Sequence, residues 1–247
     1  MKKLIFLFLG IIFLSTANAQ GQETTFSVTF GSAIPVGSFA SKSINESAAG
    51  MAKNGLFMDL NFTYTPENIF GLTGSLFFSD MGNNDLATSS RLEKMMGVLY
   101  HPLTSIDNQN TTINQWRWGS LLVGPSIKLP VGKGTFDLKA FTGLQYTYLP
   151  YQEIWVTDSS NQRFYHIRTH NQNKVALPYR LSTSLSYPVS PNVRIKLQAD
   201  YYKASINHTL DELIFNTATL QNVHSSSETF KVPIQTINIG IGLVYTL

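Results

Sequence analysis

Residues 224–228 hold the side chains of this sequence that come nearest to a catalytic group. They read His-Ser-Ser-Ser-Glu, and an extended backbone puts His224 and Ser226 on one face because strand side chains alternate. A histidine activates a serine hydroxyl when the two lie within hydrogen-bond reach and a third group orients the ring. The same residue types are common in polar loops. We therefore favour a polar loop and keep catalysis as the alternative.

Two further histidines have a spacing found at metal sites. His166 and His170 are four residues apart, which on a helix brings both imidazoles to one face. The segment between them has no acidic residue and its composition is typical of a strand. No phosphate-binding loop or nucleic-acid motif occurs in the chain. We predict no metal, no cofactor and no nucleic-acid partner.

The composition excludes several classes of protein. Charged residues make up 13% of the 247 residues and hydrophobic residues 43%. This charge content is about half of the usual quarter, which disfavours a disordered chain and a nucleic-acid-binding arm. The absence of cysteine excludes a disulfide scaffold, a cysteine-ligated zinc site, a thiol nucleophile and a lipoprotein anchor.

Residues 1–19 have the three-part pattern of a secretory signal peptide. A short basic start is followed by an apolar run over residues 4–14 and by small residues that end at Ala19. That run is shorter than the roughly 20 residues that a membrane-spanning helix needs. We predict cleavage between Ala19 and Gln20, export, and a single mature domain over residues 20–247. A soluble β protein and an outer-membrane β-barrel both fit an exported chain.

The elements that must position these side chains are strands, since eight segments alternate apolar and polar residues. Along 193–202, the apolar side chains from Val193 to Tyr201 share one face, and Arg194, Lys196 and Asp200 lie on the other. The eight predicted strands are 25–30, 56–64, 72–79, 120–129, 136–148, 177–187, 193–202 and 236–247.

The connections between these segments alternate between short and long. Three short turns rich in Pro, Gly and Asn cover 66–69, 130–135 and 188–192, and four long polar loops cover 33–53, 80–115, 150–174 and 207–231. This asymmetry is typical of transmembrane barrels, with short periplasmic turns and long outer loops. We therefore predict an all-β, eight-stranded antiparallel up-and-down transmembrane β-barrel.

The main alternative is a soluble β-sandwich, whose strands are usually about 5–6 residues long. The segments here are longer and suit a membrane span of about 9–11 tilted residues. Aromatic residues also gather near both ends of the apolar rows, as in the girdles of membrane barrels. We expect one girdle near the turns, at Tyr64, Phe70, Phe136, Tyr187 and Tyr245, and another near the loops, at Phe78, Trp116, Trp118, Tyr146, Tyr148 and Tyr201.

The last strand ends with apolar residues at Leu243, Tyr245 and Leu247 after a glycine. This resembles the C-terminal signal that the barrel-assembly machinery reads. Residues 29–37 and the segment 122–126 before the Pro-Val-Gly turn carry a wider likeness. On these motifs the mature chain resembles the eight-stranded outer-membrane β-barrel proteins of Bacteroidetes type, with an OmpA/OmpX-like barrel domain. The resemblance implies a location in the bacterial cell outer membrane more than an activity.

An eight-stranded barrel is just wide enough for side chains to fill it, and buried charges need partners. If the last turn centres on Ser190, Arg180 opposes Asp200 and Ser184 opposes Lys196. We predict an ion network that plugs the lumen, and a cation-lined anion pore is the alternative. The network comprises Asp59, Lys128, Asp137, Lys139, Arg180, Arg194, Lys196 and Asp200.

The expected function is structural or binding, because long loops on a rigid scaffold usually carry function. Adhesion, ligand capture and envelope integrity all fit a monomer surrounded by outer-membrane lipid and lipopolysaccharide, with an unknown extracellular ligand. We expect no enzymatic activity. One alternative is a lipid-A-modifying deacylase or acyltransferase, since a His two residues before a Ser resembles the deacylases. Their acid lies further along the chain, and no acidic residue follows Glu228. Another alternative is the barrel subunit of a secretion or assembly complex.

Overall fold

The computed structural model describes residues 23–43, 45–46, 48–67, 69–88, 90, 106–158, 163–169, 173–216, 219 and 221–247. The predicted signal peptide and its cleavage position between Ala19 and Gln20 lie outside the described residues and stay predictions. Among the described residues, no helix is both long enough and apolar enough to cross a membrane.

The described chain is almost entirely β-strand, with a 3-10 helix at Gly37–Phe39 and a helical turn at 85–88. Alternating side chains and Pro- or Gly-containing turns favour strands along most of the sequence. The strands are β1 (Glu23–Pro35), β2 (Ala52–Glu67), β3 (Phe70–Asn83), β4 (Ile106–Ile113), β5 (Trp116–Val131), β6 (Gly134–Tyr148), β7 (Gln152–Asp158), β8 (Arg163–Thr169), β9 (Asn173–Ala176), β10 (Tyr179–Pro188), β11 (Val193–Asn216) and β12 (Asn222–Thr246).

Eight of these strands close into a ring. Its order is β1, β2, β3, β5, β6, β10, β11 and β12, each strand is antiparallel to its neighbours, and β12 pairs with β1 to complete the circle. The short β9 continues the line of β10 along β6. Successive ring strands are therefore neighbours, and the predicted eight-stranded antiparallel up-and-down barrel is confirmed.

The two faces of the wall differ as the alternation predicts. On β11, Lys196 and Gln198 are buried inside the barrel, whereas Leu197 between them is 55% exposed on the outer wall. The other seven ring strands repeat this arrangement. Exposed apolar side chains that represent them are Phe30, Leu56, Leu72, Leu121, Leu144, Leu181 and Ile241.

Three short turns close one end of the barrel, as predicted. They join β2 to β3, β5 to β6 and β10 to β11. Gly132 in the second turn has a φ of 60°, a left-handed conformation that side chains with a Cβ disfavour. We call this end of the barrel the turn end, and the opposite end the mouth.

The fourth predicted outer loop, residues 207–231, is wrong in its extent. Here β11 continues to Asn216 and β12 begins at Asn222, so the two strands form a hairpin that leaves the mouth. The segment is polar on average, but along β11 every second side chain is buried, and this alternation specifies a strand. The buried side chains are Ile206, His208, Leu210, Glu212 and Ile214.

The hairpin is one part of a larger sheet above the mouth. The distal half of β11 pairs with β8, β8 pairs with β7, and β7 pairs with β4. With β12 they form a five-stranded antiparallel sheet in the order β12, β11, β8, β7 and β4. We call it the extension sheet. Since β11 and β12 are continuous with the wall, this sheet is anchored directly on the barrel.

Candidate functional site

The middle of the lumen is organised around one carboxylate. Asp59 on β2 is fully buried. Its oxygens accept hydrogen bonds from Asn61 Nδ2 at 2.8 Å, Ser75 Oγ at 2.7 Å and Gln198 Nε2 at 2.8 Å. A buried carboxylate is stable only when its charge and its lone pairs are matched. Three strands of the wall therefore supply its hydrogen bonds.

The counter-charge comes from the opposite side of the ring. Arg180 on β10 is fully buried, and its Nη1 lies 3.1 Å from Asp59 Oδ1. Its Nη2 donates to Ser75 Oγ at 3.1 Å. The guanidinium carbon lies 5.1 Å from the ring centre of Phe77 and 4.3 Å from that of Phe141, which are cation–π distances. This pair spans the lumen and ties β2 to β10.

The predicted opposition of Arg180 to Asp200 is wrong by two residues. Arg180 pairs with Tyr202 across the β10–β11 ladder, and Ser182 pairs with Asp200. Lys196 likewise lies opposite Ser186 rather than Ser184. The cause is the turn between β10 and β11. Its centre lies at residue 191 instead of residue 190, because the N–H groups of residues 189 and 190 both donate to the carbonyl of residue 193.

A second ionic cluster lies at the turn end of the lumen. Lys128 Nζ is 2.5 Å from Glu23 Oε2, and Arg194 Nη2 is 3.2 Å from Glu23 Oε1. Glu23 precedes the alternating row Thr25, Ser27 on β1, so its inward direction follows from the same period. The sequence pattern does not predict Glu23 as an inward residue, because the predicted first strand begins at residue 25 and β1 begins at Glu23.

Between these two clusters the lumen contains a small cavity. The inward-facing residues Lys128, Asp137, Lys139, Arg194 and Lys196 line it together with several Ser and Thr hydroxyls, and its volume is about 20 Å³. Asp137 accepts a hydrogen bond from Ser184 Oγ at 3.2 Å. Asp200 is also buried in the lumen, and its Oδ2 accepts a hydrogen bond from Gln198 Nε2 at 2.8 Å.

The mouth of the lumen is filled by aromatic rings rather than by ions. Trp116 and Trp118, which we placed in the outer girdle, point inward and are 1% and 3% exposed. Phe39 of the 3-10 helix packs on both, with ring centres 5.1 and 6.2 Å away. Trp116 Nε1 also donates to the carbonyl of Gly50 at 3.1 Å. These contacts hold the first loop, between β1 and β2, across the mouth. They form only because both tryptophans point into the lumen.

A stack of rings continues the filling below the tryptophans. The ring of Phe77 lies 5.6 Å from that of Phe57 and 5.2 Å from that of Tyr202, both nearly parallel. The hydroxyl of Tyr202 donates to Gln145 Oε1 at 2.6 Å and contacts Ser120 Oγ at 2.8 Å. Tyr202 therefore joins the aromatic layer to the polar network. We call the rings of Phe39, Phe57, Phe77, Trp116, Trp118 and Tyr202 the aromatic plug.

The outer wall carries an apolar groove of about 500 Å³ near the mouth. Phe30, Leu56, Phe78 and Tyr146 are among its lining residues. Arg117 also borders the groove, and its Nε donates to Asp80 at 2.8 Å. The groove thus combines an apolar floor with a charged rim.

The structure does not bring the candidate catalytic residues together into one site. His224 and Ser226 are exposed on the distal part of β12, and Ser226 Oγ donates to Glu212 Oε2 at 2.9 Å. His166 lies on strand β8 with Nε2 2.7 Å from Glu153 Oε1, and His170 lies outside the described residues. In the described part of the chain, no group of three or more His, Asp or Glu side chains is placed to hold a metal.

No protein-family model and no curated protein matches the chain. Among solved structures it is similar to a major outer membrane protein of Thermus thermophilus, with 13% identity over 92% of this chain and 100% of that chain, and a TM-score of 0.43. It is also similar to OprG of Pseudomonas aeruginosa, with 12% identity, 92% and 98% coverage and a TM-score of 0.43. It is similar as well to Ail, the attachment invasion locus protein of Yersinia pestis, with 10% identity over 92% of this chain and 100% of that chain, and a TM-score of 0.38. The strand pairing described above establishes the barrel, and these similarities transfer no activity to this chain.

Proposed function

We propose that this chain is an outer-membrane β-barrel protein of a Gram-negative bacterium, with a filled lumen and a structural or binding role carried by the extension sheet. One observation carries the proposal: the outer wall of the barrel is apolar, whereas its interior contains an ionic and polar network below the aromatic plug. Soluble monomers rarely expose apolar patches of more than a few hundred Å². If lipid hydrocarbon surrounds the wall, its apolar side chains are not exposed to water. A closed barrel also leaves no strand edge with unpaired backbone groups in the lipid.

The dimensions of the apolar wall support the same location. On β10 the outward row runs from Tyr187 near the turn end to Tyr179 near the mouth, and both tyrosines are about half exposed. Eight residues of strand measure ~27 Å, or roughly 20 Å along the membrane normal at a usual tilt. On β12 the row from Tyr245 to Ile237 has the same length. This is close to the ~25 Å apolar band of outer-membrane barrels.

The extension sheet supports the binding role. Its outward side chains on the hairpin are mostly polar, as at Ser205, Asn207, Ser225 and Ser227, with Leu213 and Phe215 as apolar exceptions near the tip of β11. From Tyr201 to Asn216, β11 continues for roughly 50 Å of strand at ~3.3 Å per residue. A hydrogen-bonded sheet of this reach presents a surface whose shape is held by the barrel. Adhesion, ligand capture and support of the envelope all suit it, and its ligand is the unknown extracellular partner.

We assign the chain to the Bacteroidetes-type, OmpA/OmpX-like barrels on the motifs at residues 29–37 and 122–126, and regard residues 1–19 as its signal peptide. Outer-membrane lipid and lipopolysaccharide surround the barrel, and the groove beside Arg117 suits an acyl chain with a phosphate at its rim. The barrel-assembly machinery inserts the chain, which then works as a monomer without enzymatic activity.

Cysteine labelling tests the location and the orientation together. The chain has no cysteine, so Ser225→Cys and Lys133→Cys each introduce a single thiol. Ser225 lies on the hairpin of the extension sheet and Lys133 in a turn at the other end. In intact cells a membrane-impermeant maleimide is expected to label only Ser225→Cys. Lys133→Cys is expected to react fully after the outer membrane is permeabilised. Equal labelling of both in intact cells, or of neither, would contradict the proposal.

The filled lumen predicts a barrel that does not conduct small solutes. The buried Asp59–Arg180 pair and the aromatic plug both cross the interior. Liposomes that contain the purified protein are expected to take up arabinose no faster than empty liposomes, while liposomes with a general porin swell rapidly. Uptake at a porin-like rate would favour the cation-lined pore instead.

A further inference from the structure

Two inward lysines at the turn end of the lumen, Lys196 buried and Lys139 partly buried, form no close ion pair with a described carboxylate. Lys196 is 1% exposed, and its ammonium donates to Ser27 Oγ at 3.0 Å. Lys139 Nζ donates to Thr63 Oγ1 at 3.4 Å. Neither lysine belongs to any ion pair found within 4.0 Å among the described side chains. An ammonium has three N–H donors, so each lysine can serve a further acceptor.

The charges around these lysines do not balance locally. Lys139 and Lys196 line the small cavity together with Lys128 and Arg194, and Asp137 is the one carboxylate among the described lining residues. Glu23 adds a second carboxylate, which Lys128 and Arg194 share. Asp59 and Asp200 also attract both lysines, and Arg180 pairs with Asp59, so these five cations exceed the four carboxylates by one charge. Buried charge of one sign is costly without a compensating ion. The wall is therefore suited to an anion.

The cavity sets the size of that anion. Its volume of about 20 Å³ is room for roughly one water-sized particle. Phosphate and sulfate, with four oxygens each, exceed this volume. Ser27 accepts its hydrogen bond from Lys196, so its own O–H remains available as a donor. Hydroxyl and ammonium donors around a small space suit a spherical monovalent anion.

We infer that the turn-end cavity is a binding site for one halide-sized anion, chloride under ordinary conditions, held between the ammonium groups of Lys139 and Lys196. The anion is part of the fold, where it offsets the excess positive charge on the cavity wall. It does not travel through the barrel, because the Asp59–Arg180 pair closes the path above it. The inference is independent of what the extension sheet binds.

Bromide provides the direct test, because it replaces chloride and scatters anomalously. In crystals of the mature wild-type protein grown in sodium bromide, an anomalous peak is expected in the cavity within hydrogen-bond distance of Lys139 Nζ and Lys196 Nζ. Peaks at surface positions alone would mean adventitious ions only and would overturn the inference. An ordered water in the cavity, with no anomalous signal, would do the same.

Stability in solution provides the second test and uses matched variants. At constant ionic strength, replacing gluconate with chloride is expected to raise the urea midpoint of the wild type in a saturable manner. Lys196→Gln and Lys139→Gln are expected to lose this dependence. Arg117→Gln, which removes an exposed cation outside the cavity, is expected to keep it. A wild type whose midpoint is indifferent to chloride, or lysine variants that keep the full response, would refute the site. The crystal test needs no variant and remains decisive if a variant fails to fold.

Discussion

Replacing Asp59 with asparagine is expected to lower the free energy of unfolding by about 3–5 kcal/mol, the usual cost of breaking a buried ion pair. The substitution leaves the Arg180 guanidinium fully buried between Phe77 and Phe141 without the carboxylate that it contacts. Surrounding hydroxyl and amide groups cannot replace a full negative charge. Urea unfolding of the protein in phosphatidylcholine vesicles, followed by tryptophan fluorescence, measures the loss.

The exposed pair of Arg117 and Asp80 is the matched control, because its N–O distance is 2.8 Å and both side chains are at least half exposed. Asp80→Asn is expected to cost no more than about 1 kcal/mol. The double variant Asp59→Asn/Arg180→Met is expected to recover part of the loss, since it removes the unpaired charge as well. Equal losses for Asp59→Asn and Asp80→Asn would contradict a lumen pair that crosses a dry interior.

Arginine at the middle of the outer wall is expected to be almost as damaging. Ile241 is 69% exposed and lies halfway along the apolar row of β12 between Tyr245 and Ile237. In a lipid bilayer, Ile241→Arg is expected to cost about 2–4 kcal/mol, because it places a charge at the midplane. The same unfolding measurement in vesicles gives this value.

Ser225→Arg controls for the strand and for the introduced side chain. Ser225 is an exposed, outward residue of the same strand β12, beyond the apolar band. Its substitution is expected to change stability by less than about 0.5 kcal/mol. If Ile241→Arg were as mild as Ser225→Arg, the wall would face water, and the proposed membrane location would fail.

Alternation was sufficient to predict the ring of the barrel. On β11 the row from Ile195 to Tyr201 is apolar, and the row from Arg194 to Asp200 is polar or charged. In a strand these two rows face opposite sides, so the sequence predicts the wall, its three turns and its two faces. The inward direction of the charged residues followed from the same period. These features depend on near neighbours in the chain, which a sequence pattern records directly.

The contacts that cross the barrel were not predictable in this way. Arg180 meets Asp59, 121 positions earlier in the chain and on the opposite strand of the ring, so no local pairing rule connects them. A turn centred one residue further along moved the partners of Asp200 and Lys196 by two positions. Trp118, by contrast, lies on the same row of β5 as the inward residues Ser120 and Ser126, so extending the alternation back from residue 120 places it inside the barrel, where it packs against Phe39 of the first loop.

The extension sheet was missed for a different reason. Residues 207–231 are polar on average, which suggested a loop, while the alternate apolar positions at Ile206, Leu210 and Ile214 were the stronger signal. His208 and Glu212 occupy buried positions in the same row and hid the period. Where the buried face of a strand contains polar residues, hydropathy alternates only weakly along the sequence, so hydropathy alone does not identify the strand.

The joining of β1 to β12 has a consequence for the order in which the molecule is made. Thr25 pairs with Thr246, so the final seam connects residues more than 200 positions apart. Until that seam forms, β1 and β12 are edge strands with unpaired backbone N–H and C=O groups. Such edges promote aggregation, and the long separation of the two strands in the chain slows their pairing in the native register. We therefore expect the biogenesis of such a protein to need a factor that shields both edges until they pair.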